Sequence, residues 1–388
     1  MQPDRLNRRE FVRDTTAIAA GTLAAGTLAA GTLAAGTVAA VAVSSPTIVA
    51  AGATDVPAEV KSTRSYNPNM EYRRLGKTGL WVSAVCLGGH WKRIDKIIGS
   101  KGEIDPYAGP KDNSDMGSFL KNRHEVVGRC IEVGINLIDF AGDAEPETYC
   151  KVLAGRRDKM FLAYSHPASE LRVADNCNAK KLLELFAAGL KRCKLEYADV
   201  WRLMAHERGG THSQADVDAM IEALDTAKRK GLCRFTGFST HDRRWAKKLI
   251  EKYSDTMQVL CTPYTATSKV LPVDSLFDAI KKHDVGLLGI KPFASNAIFH
   301  GDGSAAGPHA EKDNERARLA IRNILVNPAI TAPIPGLISP AQVDNIAAAI
   351  RERRALDGKE KAELRRMERE MWANLPADYQ WLHEWRYV

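Results

Sequence analysis

This sequence of 388 residues lacks several motifs that would assign it to a common class of protein. None of its seven cysteines forms a C-x-x-C pair, which argues against the usual zinc-binding and dithiol arrangements. No G-x-G-x-x-G follows the first strand-like run, which weakens an open, doubly wound sheet as the fold. The formal net charge is +8, yet the basic residues are scattered along the chain, so no nucleic-acid partner is expected.

Charge is also absent from a long stretch near the N-terminus, from Thr15 to Gly52. The stretch is rich in alanine, glycine and threonine, follows the basic segment NRREFVR at 7–13, and ends near an A-x-A-like sequence at 51–53. A basic segment, a weakly apolar core and small residues, in this order, are typical of an export signal. The double arginine of the basic segment resembles the twin-arginine signal.

We therefore predict that residues 1–53 are a twin-arginine-type signal peptide and that residues 54–70 are a polar linker. The predicted partner of the signal is the twin-arginine export machinery, and the predicted location is periplasmic or otherwise extracytoplasmic. A membrane-spanning anchor normally carries more leucine, isoleucine and phenylalanine, so no stable membrane anchor is expected.

After the linker, short apolar runs alternate with longer segments whose apolar residues recur at every third and fourth position. These patterns indicate strands and amphipathic helices, respectively. Eight such strands predict a parallel α/β sheet closed into a (β/α)8 TIM barrel, which we place at residues 71–352. A turn at Gly76–Gly79 predicts a hairpin at its start. The predicted strands are 81–87, 135–140, 160–164, 200–204, 234–238, 257–261, 285–290 and 331–334.

Two segments have no place in this repeat. The stretch 93–120 is rich in glycine, proline and aspartate and is interpreted as a loop insertion over the barrel mouth. The stretch 353–388 is predicted to be a C-terminal helix and an aromatic tail that contains Trp381, Trp385 and Tyr387. The tail could cap the mouth, but packing on the barrel wall is the expected arrangement for an aromatic cluster.

Eight segments of the predicted barrel carry a further signal when they are taken in order. They are YRRLGKTGLWVSAVCLGG, GINLID, GRRDKMFLA, YADVWRLMAH, GLCRFTGFSTHD, MQVLCTPY, VGLLGIKPFA and NPAITAPIPGLISPAQVDN. Together they resemble the strand segments of the aldo/keto reductase family over about residues 71–346. The resemblance implies an oxidoreductase that transfers a hydride between a nicotinamide cofactor and a carbonyl or alcohol.

In that family a tyrosine donates a proton, a lysine held by an aspartate lowers the pKa of this tyrosine, and a histidine polarises the carbonyl. By resemblance, Asp139 is the catalytic aspartate. The positions of the tyrosine, lysine and histidine are occupied by Ala144, Ser165 and Met204. His206 follows two residues after Met204, on the same face of an extended strand, and is predicted to polarise the carbonyl instead. The predicted catalytic tetrad is therefore degenerate.

The resemblance also assigns residues that bind NADP or NAD. Ser239, Thr240 and Gln258 match positions that hold the nicotinamide, the loop 291–296 matches the pyrophosphate loop, and 336–342 matches the adenosine side. The adenosine side carries a glutamine where an arginine would grip a 2′-phosphate, so the choice between NADP and NAD stays open. The predicted cofactor-binding residues are Ser239, Thr240, Gln258, Lys291, Phe293, Ser295, Gly336, Ser339 and Gln342.

Two other functions stay open because the family's proton donor is missing. Acids and histidines at neighbouring strand ends could bind a divalent metal for isomerisation or hydrolysis of a sugar. A barrel without catalysis could bind a sugar or a protein partner. The residues considered for the metal are Asp139, Asp143, Glu145, Glu147, His166 and His206, and those considered as replacement proton donors are His166, His206, His241 and Tyr164.

The preferred interpretation is an oxidoreductase that acts on a small-molecule carbonyl or alcohol, with a sugar as the favoured substrate class. It assigns no metal ligand. Nicotinamide cofactors are not expected to be replenished outside the cytoplasm, so an exported enzyme would keep its cofactor bound and recycle it with a second substrate.

Overall fold

The structure is a computed structural model that describes residues 47–100, 102–111, 114–352 and 354–388, so the predicted signal peptide lies almost entirely outside it. Within these residues the strands are β1 (Ile48–Val49), β2 (Tyr72–Arg74), β3 (Trp81–Ser83), β4 (Leu87–Gly88), β5 (Ile104–Asp105), β6 (Gly109–Pro110), β7 (Leu137–Asp139), β8 (Phe161–Tyr164), β9 (Ala198–Met204), β10 (Cys233–Ser239), β11 (Val259–Pro263), β12 (Gly286–Ile290) and β13 (Ala332–Pro333).

The helices of the described residues are α1 (Ala58–Lys61), α2 (Ile94–Ile98), α3 (Met116–Val133), α4 (Glu145–Val152), α5 (Ala179–Arg192), α6 (Gln214–Arg229), α7 (Arg243–Lys252), α8 (Leu276–Lys282), α9 (Ala310–Ile324), α10 (Pro340–Arg351) and α11 (Gly358–Ala373). None of the helices that the structure describes combines the length and the apolar character needed to cross a membrane.

Eight parallel strands form the central sheet, in the spatial order β4, β7, β8, β9, β10, β11, β12 and β13. Neighbouring strands in this order are joined by parallel ladders. The backbone amide of Cys86 donates to the carbonyl oxygen of Pro333 at 3.0 Å, which links the two ends of the sheet. The predicted (β/α)8 barrel is therefore confirmed.

The first predicted strand, 81–87, is divided into two strands with different partners. Strand β3 pairs antiparallel with β2, which is the predicted hairpin, whereas β4 belongs to the barrel. The hydroxyl of Ser83 donates to the carbonyl oxygen of Val85 at 2.6 Å. This short-range contact marks a local turn that separates the two strands.

The barrel interior is apolar towards the N-terminal ends of its strands and polar towards the C-terminal ends. Side chains of the β2–β3 hairpin, among them Leu75 and Val82, close the apolar part. Residues at alternate positions of the barrel strands fill it, as strand geometry requires. These interior residues include Leu137, Phe161, Val200, Phe235, Val259, Leu288 and Ala332.

A buried aspartate stands near the N-terminal end of the barrel. Asp199 accepts hydrogen bonds from Arg64 at 3.0 Å, Arg157 at 2.8 Å and Arg234 at 3.3 Å, and also from a backbone amide of β8. Burial by itself would raise the pKa of Asp199, but the three guanidinium charges hold it well below its usual range. The carboxylate thus joins two barrel strands to the segment that precedes the barrel.

The predicted linker, residues 54–70, is wrong as a description of this segment, because it packs on the N-terminal end of the barrel. Helix α1 buries Val60 completely. The hydroxyl of Thr63 donates to the carbonyl oxygen of Trp81 at 2.6 Å, and Arg64 reaches Asp199. The polar composition of residues 54–70 suggested a linker. Composition alone does not reveal that these polar groups bond to the barrel.

Strand β1 extends the folded unit into residues assigned to the signal peptide. It pairs antiparallel with β2. The amide of Gly52 also donates to the carbonyl oxygen of Pro68 at 2.7 Å. Cleavage near residue 53 would therefore remove a strand that is paired with the hairpin.

The predicted loop insertion at 93–120 contains α2, the β5–β6 hairpin and the first turn of α3, so it is more regular than predicted. Arg93, Ile97 and Tyr107 from this segment line the cavity at the barrel mouth. Its predicted location over the mouth agrees with the structure.

The C-terminal segment contains α11 and a 3-10 helix at Ala377–Trp385. Trp385 is buried, and its indole nitrogen donates to the carbonyl oxygen of His241 at 3.1 Å. Tyr379 and Trp381 line the cavity at the mouth. The aromatic tail therefore does both things considered for it, since one tryptophan packs on the barrel while two other rings reach the mouth.

Candidate active site

A cavity of about 1080 Å3 opens at the C-terminal ends of the barrel strands. This is the end at which (β/α)8 barrels place their active sites. Asp139, Arg202, Met204 and Cys261, from three barrel strands, are part of its wall. The predicted site residues that line it are Asp139, Ser239, Thr240, Lys291, Phe293, Ser295, Gly336, Ser339 and Gln342.

The partner of Asp139 is an arginine from another strand. The guanidinium of Arg202 donates from Nε to Oδ1 of Asp139 at 2.5 Å and from Nη2 to Oδ2 at 3.1 Å, and Nη2 also donates to the carbonyl oxygen of Phe140 at 2.5 Å. Both charged side chains are only 1% exposed. Burial raises the pKa of Asp139 to about 6, although Arg202 opposes the shift. The carboxylate is therefore ionised at neutral pH, and the two residues form a buried ion pair.

Arg202 is a site residue that the sequence analysis did not identify. A signal for it exists, because it is the one basic residue in the otherwise apolar run VWRLM. Residues at alternate positions of a strand share a face. Val200 lies in the barrel interior and Met204 lines the cavity, so the same alternation places Arg202 inside the barrel.

The positions of the missing family side chains hold groups with structural partners. The hydroxyl of Ser165 and the amide of Met204 both donate to Oε2 of Glu170, at 2.8 and 2.7 Å. The indole of Trp201 donates to the other carboxylate oxygen at 3.0 Å. Ala144 is half-buried directly ahead of α4. The family's tyrosine, lysine and histidine therefore have no counterpart at their own positions.

His206 is not among the described residues that line the cavity. Strand β9 ends at Met204, so the alternation that would bring residue 206 to the same face no longer holds. The imidazole of His206 instead stacks on His212, with ring centroids 4.4 Å apart, and its backbone amide donates to Nε2 of His212 at 3.0 Å. The prediction that His206 polarises the carbonyl is wrong in this structure.

Gln258 is also placed differently from the prediction. Val259 belongs to the barrel interior, so the preceding side chain faces outward. The amide oxygen of Gln258 accepts from the backbone amide of Thr236 at 3.1 Å and from Nζ of Lys228 at 3.2 Å. The prediction that Gln258 holds the nicotinamide is therefore wrong, because a shift of one residue exchanges the two faces of a strand.

Ser239 and Thr240 stand at the end of β10 and line the cavity. The alternation along β10 places Ser239 on the interior face, together with Phe235. The hydroxyl of Thr240 donates to the carbonyl oxygen of His206 at 3.0 Å and accepts from the amide of Asp242 at 3.1 Å. Thr240 thus orders the loop, while Ser239 presents a hydroxyl to the cavity.

The loop that follows β12 has a backbone conformation suited to an anion. Lys291, Ala294, Ser295 and Asn296 have φ values of 62°, 47°, 56° and 71°. Non-glycine residues rarely adopt this region, and it recurs at ligand-binding sites. Within the described part of the chain, the amides of Phe293, Ser295 and Asn296 donate no hydrogen bond. Amides without a partner in turns of this kind form concavities that bind anions.

The N-terminus of α10 lies on the same cavity, after the neighbouring strand β13. Ser339 caps this 12-residue helix, and its hydroxyl accepts from the amide of Gln342 at 3.2 Å. The side-chain oxygen of Gln342 accepts from the amide of Ile338 at 2.9 Å. A helix N-terminus carries partial positive charge and favours phosphate groups. Two backbone elements of a kind that binds anions in other proteins therefore follow adjacent barrel strands.

The acids of the loop after β7 have separate partners and do not form the considered metal site. Glu145 is fully buried and accepts from the amides of His90 at 2.9 Å and Ala141 at 2.7 Å. Burial would raise its pKa, but these donors and His90 lower it. Asp143 accepts from a backbone amide, and Glu147 pairs with an arginine. The carboxylate of Asp139 is occupied by its ion pair with Arg202.

Within the described residues, one group of metal-ligand type is formed by Cys177, His212 and Asp216. Nε2 of His212 accepts the backbone amide of His206, so the proton of the neutral imidazole lies on Nδ1. Nδ1 is the nitrogen 3.7 Å from the carboxylate of Asp216. Nδ1 of this tautomer therefore has no lone pair for a metal ion between His212 and Asp216.

Of the other proton donors considered, His241 lines the cavity and stacks on Trp381, with ring centroids 4.2 Å apart. Burial, supported by the charge of Lys291, lowers the pKa of His241 well below its usual range, so the imidazole is neutral at neutral pH. His166 and Tyr164 are not among the described lining residues. Tyr164 packs in edge contacts with the aromatic rings around β8.

The fold and the cavity define a (β/α)8-barrel protein with a polar site at the barrel mouth. The chain belongs to the aldo/keto reductase family of oxidoreductases, since the model of this family matches residues 121–369.

Individual relatives are distant from this chain. L-galactose dehydrogenase from Arabidopsis thaliana is 23% identical over 315 residues, which cover 74% of this chain and 90% of that protein. Among solved structures, an aldo-keto reductase from Bacillus halodurans in its holo form aligns with a TM-score of 0.56 at 18% identity, covering 77% of this chain and 96% of that one. An aldo-keto reductase from Klebsiella pneumoniae, solved in complex with NADPH, aligns with a TM-score of 0.53 at 20% identity, covering 76% and 93%.

Proposed function

We propose that this protein is an NADP- or NAD-dependent oxidoreductase that interconverts a small-molecule carbonyl and its alcohol. The observation that carries the proposal is the pair of anion-binding backbone elements, the loop after β12 and the N-terminus of α10, on one cavity with Ser239. A dinucleotide needs such elements for its phosphates and a polar side chain for its nicotinamide.

The residues present fit a bound dinucleotide. The amides of Phe293, Ser295 and Asn296 and the N-terminus of α10 would hold its phosphates, and Ser239 would hold the carboxamide. When bound, the reduced cofactor supplies the hydride. Residue 342 is glutamine, which is a weaker partner than arginine for a 2′-phosphate, so the proposal includes both NADP and NAD.

The buried ion pair of Asp139 and Arg202 gives the cavity a fixed positive group. Arg202 is held by two bonds to Asp139 and one to the carbonyl oxygen of Phe140. A preorganised cation in a site with little water stabilises the negative charge that develops on a carbonyl oxygen during reduction. We propose that the substrate carbonyl points towards this guanidinium.

The proposed substrate class is a sugar. Two observations support it, namely the relative named L-galactose dehydrogenase and the many hydrogen-bonding side chains on the cavity wall. Sugar hydroxyls need such partners, because an unpaired polar group in a closed site costs binding energy.

Binding of a dinucleotide is tested with the purified full chain. Small molecules released from it are identified by mass spectrometry, and the protein is titrated with NADPH and NADH by fluorescence. Ser239→Ala is expected to weaken binding about fivefold, the effect of losing one hydrogen bond. Gln258→Ala is the matched control and should leave the affinity unchanged, because its side chain faces away from the cavity. A wild-type chain that neither retains nor binds a dinucleotide would contradict the proposal and favour a non-catalytic barrel.

We also propose that the chain is exported to the periplasm or another extracytoplasmic compartment by the twin-arginine machinery. The support is the segment NRREFVR followed by an uncharged stretch. An exported oxidoreductase would retain its cofactor and recycle it with a second substrate. Arg8→Lys combined with Arg9→Lys should keep the protein in the cytoplasm in a cell-fractionation assay, whereas Arg13→Lys should not. Equal export of both variants would exclude the twin-arginine route.

A further inference from the structure

A histidine that follows β4 faces the cavity and is paired with a buried carboxylate. His90 lines the cavity wall, and 28% of its side chain is exposed. Oε1 of Glu145, at the start of α4, lies 2.9 Å from the backbone amide of His90 and 3.2 Å from Nδ1 of its ring. The pair therefore joins the segment after β4 to α4 at the mouth of the barrel.

The carboxylate of Glu145 has a fixed position and stays ionised. It is fully buried, and its second oxygen, Oε2, accepts the amide of Ala141 at 2.7 Å. Burial by itself would raise the pKa of Glu145, but the hydrogen bond and charge of His90, together with the backbone amides, lower it. Residue 89 is glycine, and a Cβ at this position would lie 1.8 Å from the carboxylate carbon of Glu145. The chain therefore leaves room for a charged carboxylate directly beside the imidazole.

The ionised carboxylate determines which nitrogen of the neutral imidazole carries the proton. An ionised carboxylate only accepts hydrogen bonds, so Nδ1 of His90 carries the proton that it donates to Glu145. The other ring nitrogen, Nε2, makes no hydrogen bond to any residue that the structure describes. Nε2 is therefore available to exchange a proton with a ligand in the cavity.

His90 lies beside the strand that carries Asp139. Gly88, two residues before His90, is paired with Asp139 in the parallel ladder between β4 and β7. Burial raises the pKa of Asp139, and the nearby charge of Glu145 adds to this shift. The histidine and its carboxylate are therefore neighbours of the ion pair between Asp139 and Arg202.

The loop after β7 also holds both groups in place. Nη2 of Arg202 donates to the carbonyl oxygen of Phe140, and Oε2 of Glu145 accepts the amide of the next residue, Ala141. Both Arg202 and His90 line the cavity. The guanidinium and the pair of Glu145 with His90 are therefore anchored to consecutive residues of one loop.

Other titratable groups face His90 from two further elements. The ring of Tyr107, in the β5–β6 hairpin, makes an edge contact with the imidazole, with ring centroids 4.5 Å apart. His241 follows two residues after Ser239. Burial lowers the pKa of His241, and the charges of nearby cations, His90 among them, add to this shift. The same histidine thus interacts with groups beside Asp139 and with a group beside Ser239.

We propose that His90 is the proton donor of the reaction and that Glu145 is the residue that orients it. The inference rests on the proposed oxidoreductase function and assigns the group that is missing from the family's own positions. In the reducing direction, the N–H bond at Nε2 of the imidazolium breaks, and its proton bonds to the carbonyl oxygen that Arg202 polarises. The carbonyl carbon receives the hydride and is reduced by two electrons, which a reduced dinucleotide loses. Solvent then returns a proton to Nε2.

The kinetic test compares His90→Gln and Glu145→Gln with the wild type. His90→Gln should lower kcat by at least about 10²-fold, the usual contribution of a general acid, and leave dinucleotide affinity in the fluorescence titration unchanged. Reduction by the wild type should slow as pH rises, because the imidazolium loses the proton that it donates. Glu145→Gln should move this fall to lower pH, because the charge that stabilises the imidazolium is removed, and Glu145→Asp should restore part of the wild-type profile.

A third variant separates catalysis from folding. The backbone of His90 has a φ of 60°, which glycine adopts without strain. His90→Gly should therefore fold, and imidazole added to the solution should restore part of its reduction rate. The same imidazole should leave the rate of the wild type unchanged.

His124→Gln is the matched control, since this histidine is exposed on α3 and is absent from the described cavity wall. It should behave as the wild type. Wild-type kcat in His90→Gln would overturn the proton-donor assignment and leave the proposed function intact. A wild-type chain that binds no dinucleotide would overturn both.

A second readout needs no cofactor. Nuclear magnetic resonance of the purified full chain with 15N-labelled histidine shows which nitrogen of each imidazole carries the proton. The signals that are missing in His90→Gln identify those of His90. Its neutral form should carry the proton on Nδ1, as the contact with Glu145 requires. A proton on Nε2 of neutral His90 would show that the assignment is wrong, whatever the activity of the enzyme.

Discussion

The two ends of the barrel each contain a buried aspartate, and the pKa values of these two aspartates are shifted in opposite directions. Near the N-terminal end, Asp199 is fully buried and bonded to three arginines, which hold its pKa well below the usual range. Near the C-terminal end, Asp139 is 1% exposed and paired with Arg202 alone, and burial raises its pKa to about 6.

The difference shows what each end of the barrel contributes. Asp199 joins separate chain segments and has more partners than its charge requires, which suits a structural role. Asp139 lies on a cavity wall and has a single charged partner, which does not fully offset the cost of its desolvation. We therefore propose that the ion pair at the mouth serves the site rather than the fold.

The largest expected effect is on stability at the N-terminal end. Asp199→Ala should destabilise the protein by about 3–5 kcal/mol, because it leaves buried guanidinium groups without their counterion. The measurement is urea unfolding followed by circular dichroism. Asp158→Ala, at an exposed aspartate in the same region, should change the stability by less than about 1 kcal/mol. An equal loss of stability in the two variants would contradict the structural role assigned to Asp199.

At the mouth, Arg202→Met should lower stability by about 3 kcal/mol, at the low end of the range for a broken buried pair. The loss is limited because the raised pKa of Asp139 allows its stranded carboxyl to take up a proton. The double variant Arg202→Met with Asp139→Leu should recover stability, since both charges are removed together. Neither variant should retain carbonyl reduction. Activity in the double variant would show that the ion pair is structural, like the pair at the other end.

The two aspartates should also respond oppositely to pH. The stabilisation from Asp199, whose pKa is lowered, is present above about pH 4 and is lost as pH falls. The contribution of Asp139, whose pKa is raised, is present below about pH 4 and is lost as pH rises through about 6.

Denaturant unfolding, measured between acidic and neutral pH, distinguishes the contributions of Asp199 and Asp139. Asp199→Asn should reduce the decrease in unfolding free energy that occurs as pH falls. Asp139→Asn should remove the decrease that occurs as pH rises towards 6. If the unfolding free energy had the same pH dependence in both variants, the two aspartates would not differ as described.

The smallest expected effect concerns the strand that precedes the barrel. A chain that starts at Thr54 lacks β1 and should be less stable than one that starts at Thr47 by about 1 kcal/mol, the value of two cross-strand pairs. Dinucleotide affinity should be the same in both chains, because β1 pairs with the hairpin and not with the mouth. A loss of affinity in the shorter chain would be inconsistent with this separation of the two ends.

Particular residues show how far the sequence predicted the site. Asp139 and Ser239 were assigned by resemblance, and the structure places both on the cavity wall at the barrel mouth, where strand ends of a parallel barrel meet. Gln258 was assigned by resemblance, although alternation with Val259 places it outside the barrel. His206 was assigned by extending a strand that ends at Met204. Arg202 was overlooked because a single arginine in a strand gives no local sign of its partner.

The sequence by itself determined the number and order of the barrel strands and the hairpin at the start of the barrel, because these depend on periodic patterns of neighbouring residues. It also indicated the family, through the resemblance of its ordered strand segments. The tertiary structure decided which charges meet. Asp139 and Arg202 are 63 residues apart in the chain, and Arg64 and Asp199 are 135 apart. No local pattern encodes such pairs, because barrel closure and the packing of the segment before the barrel bring them together.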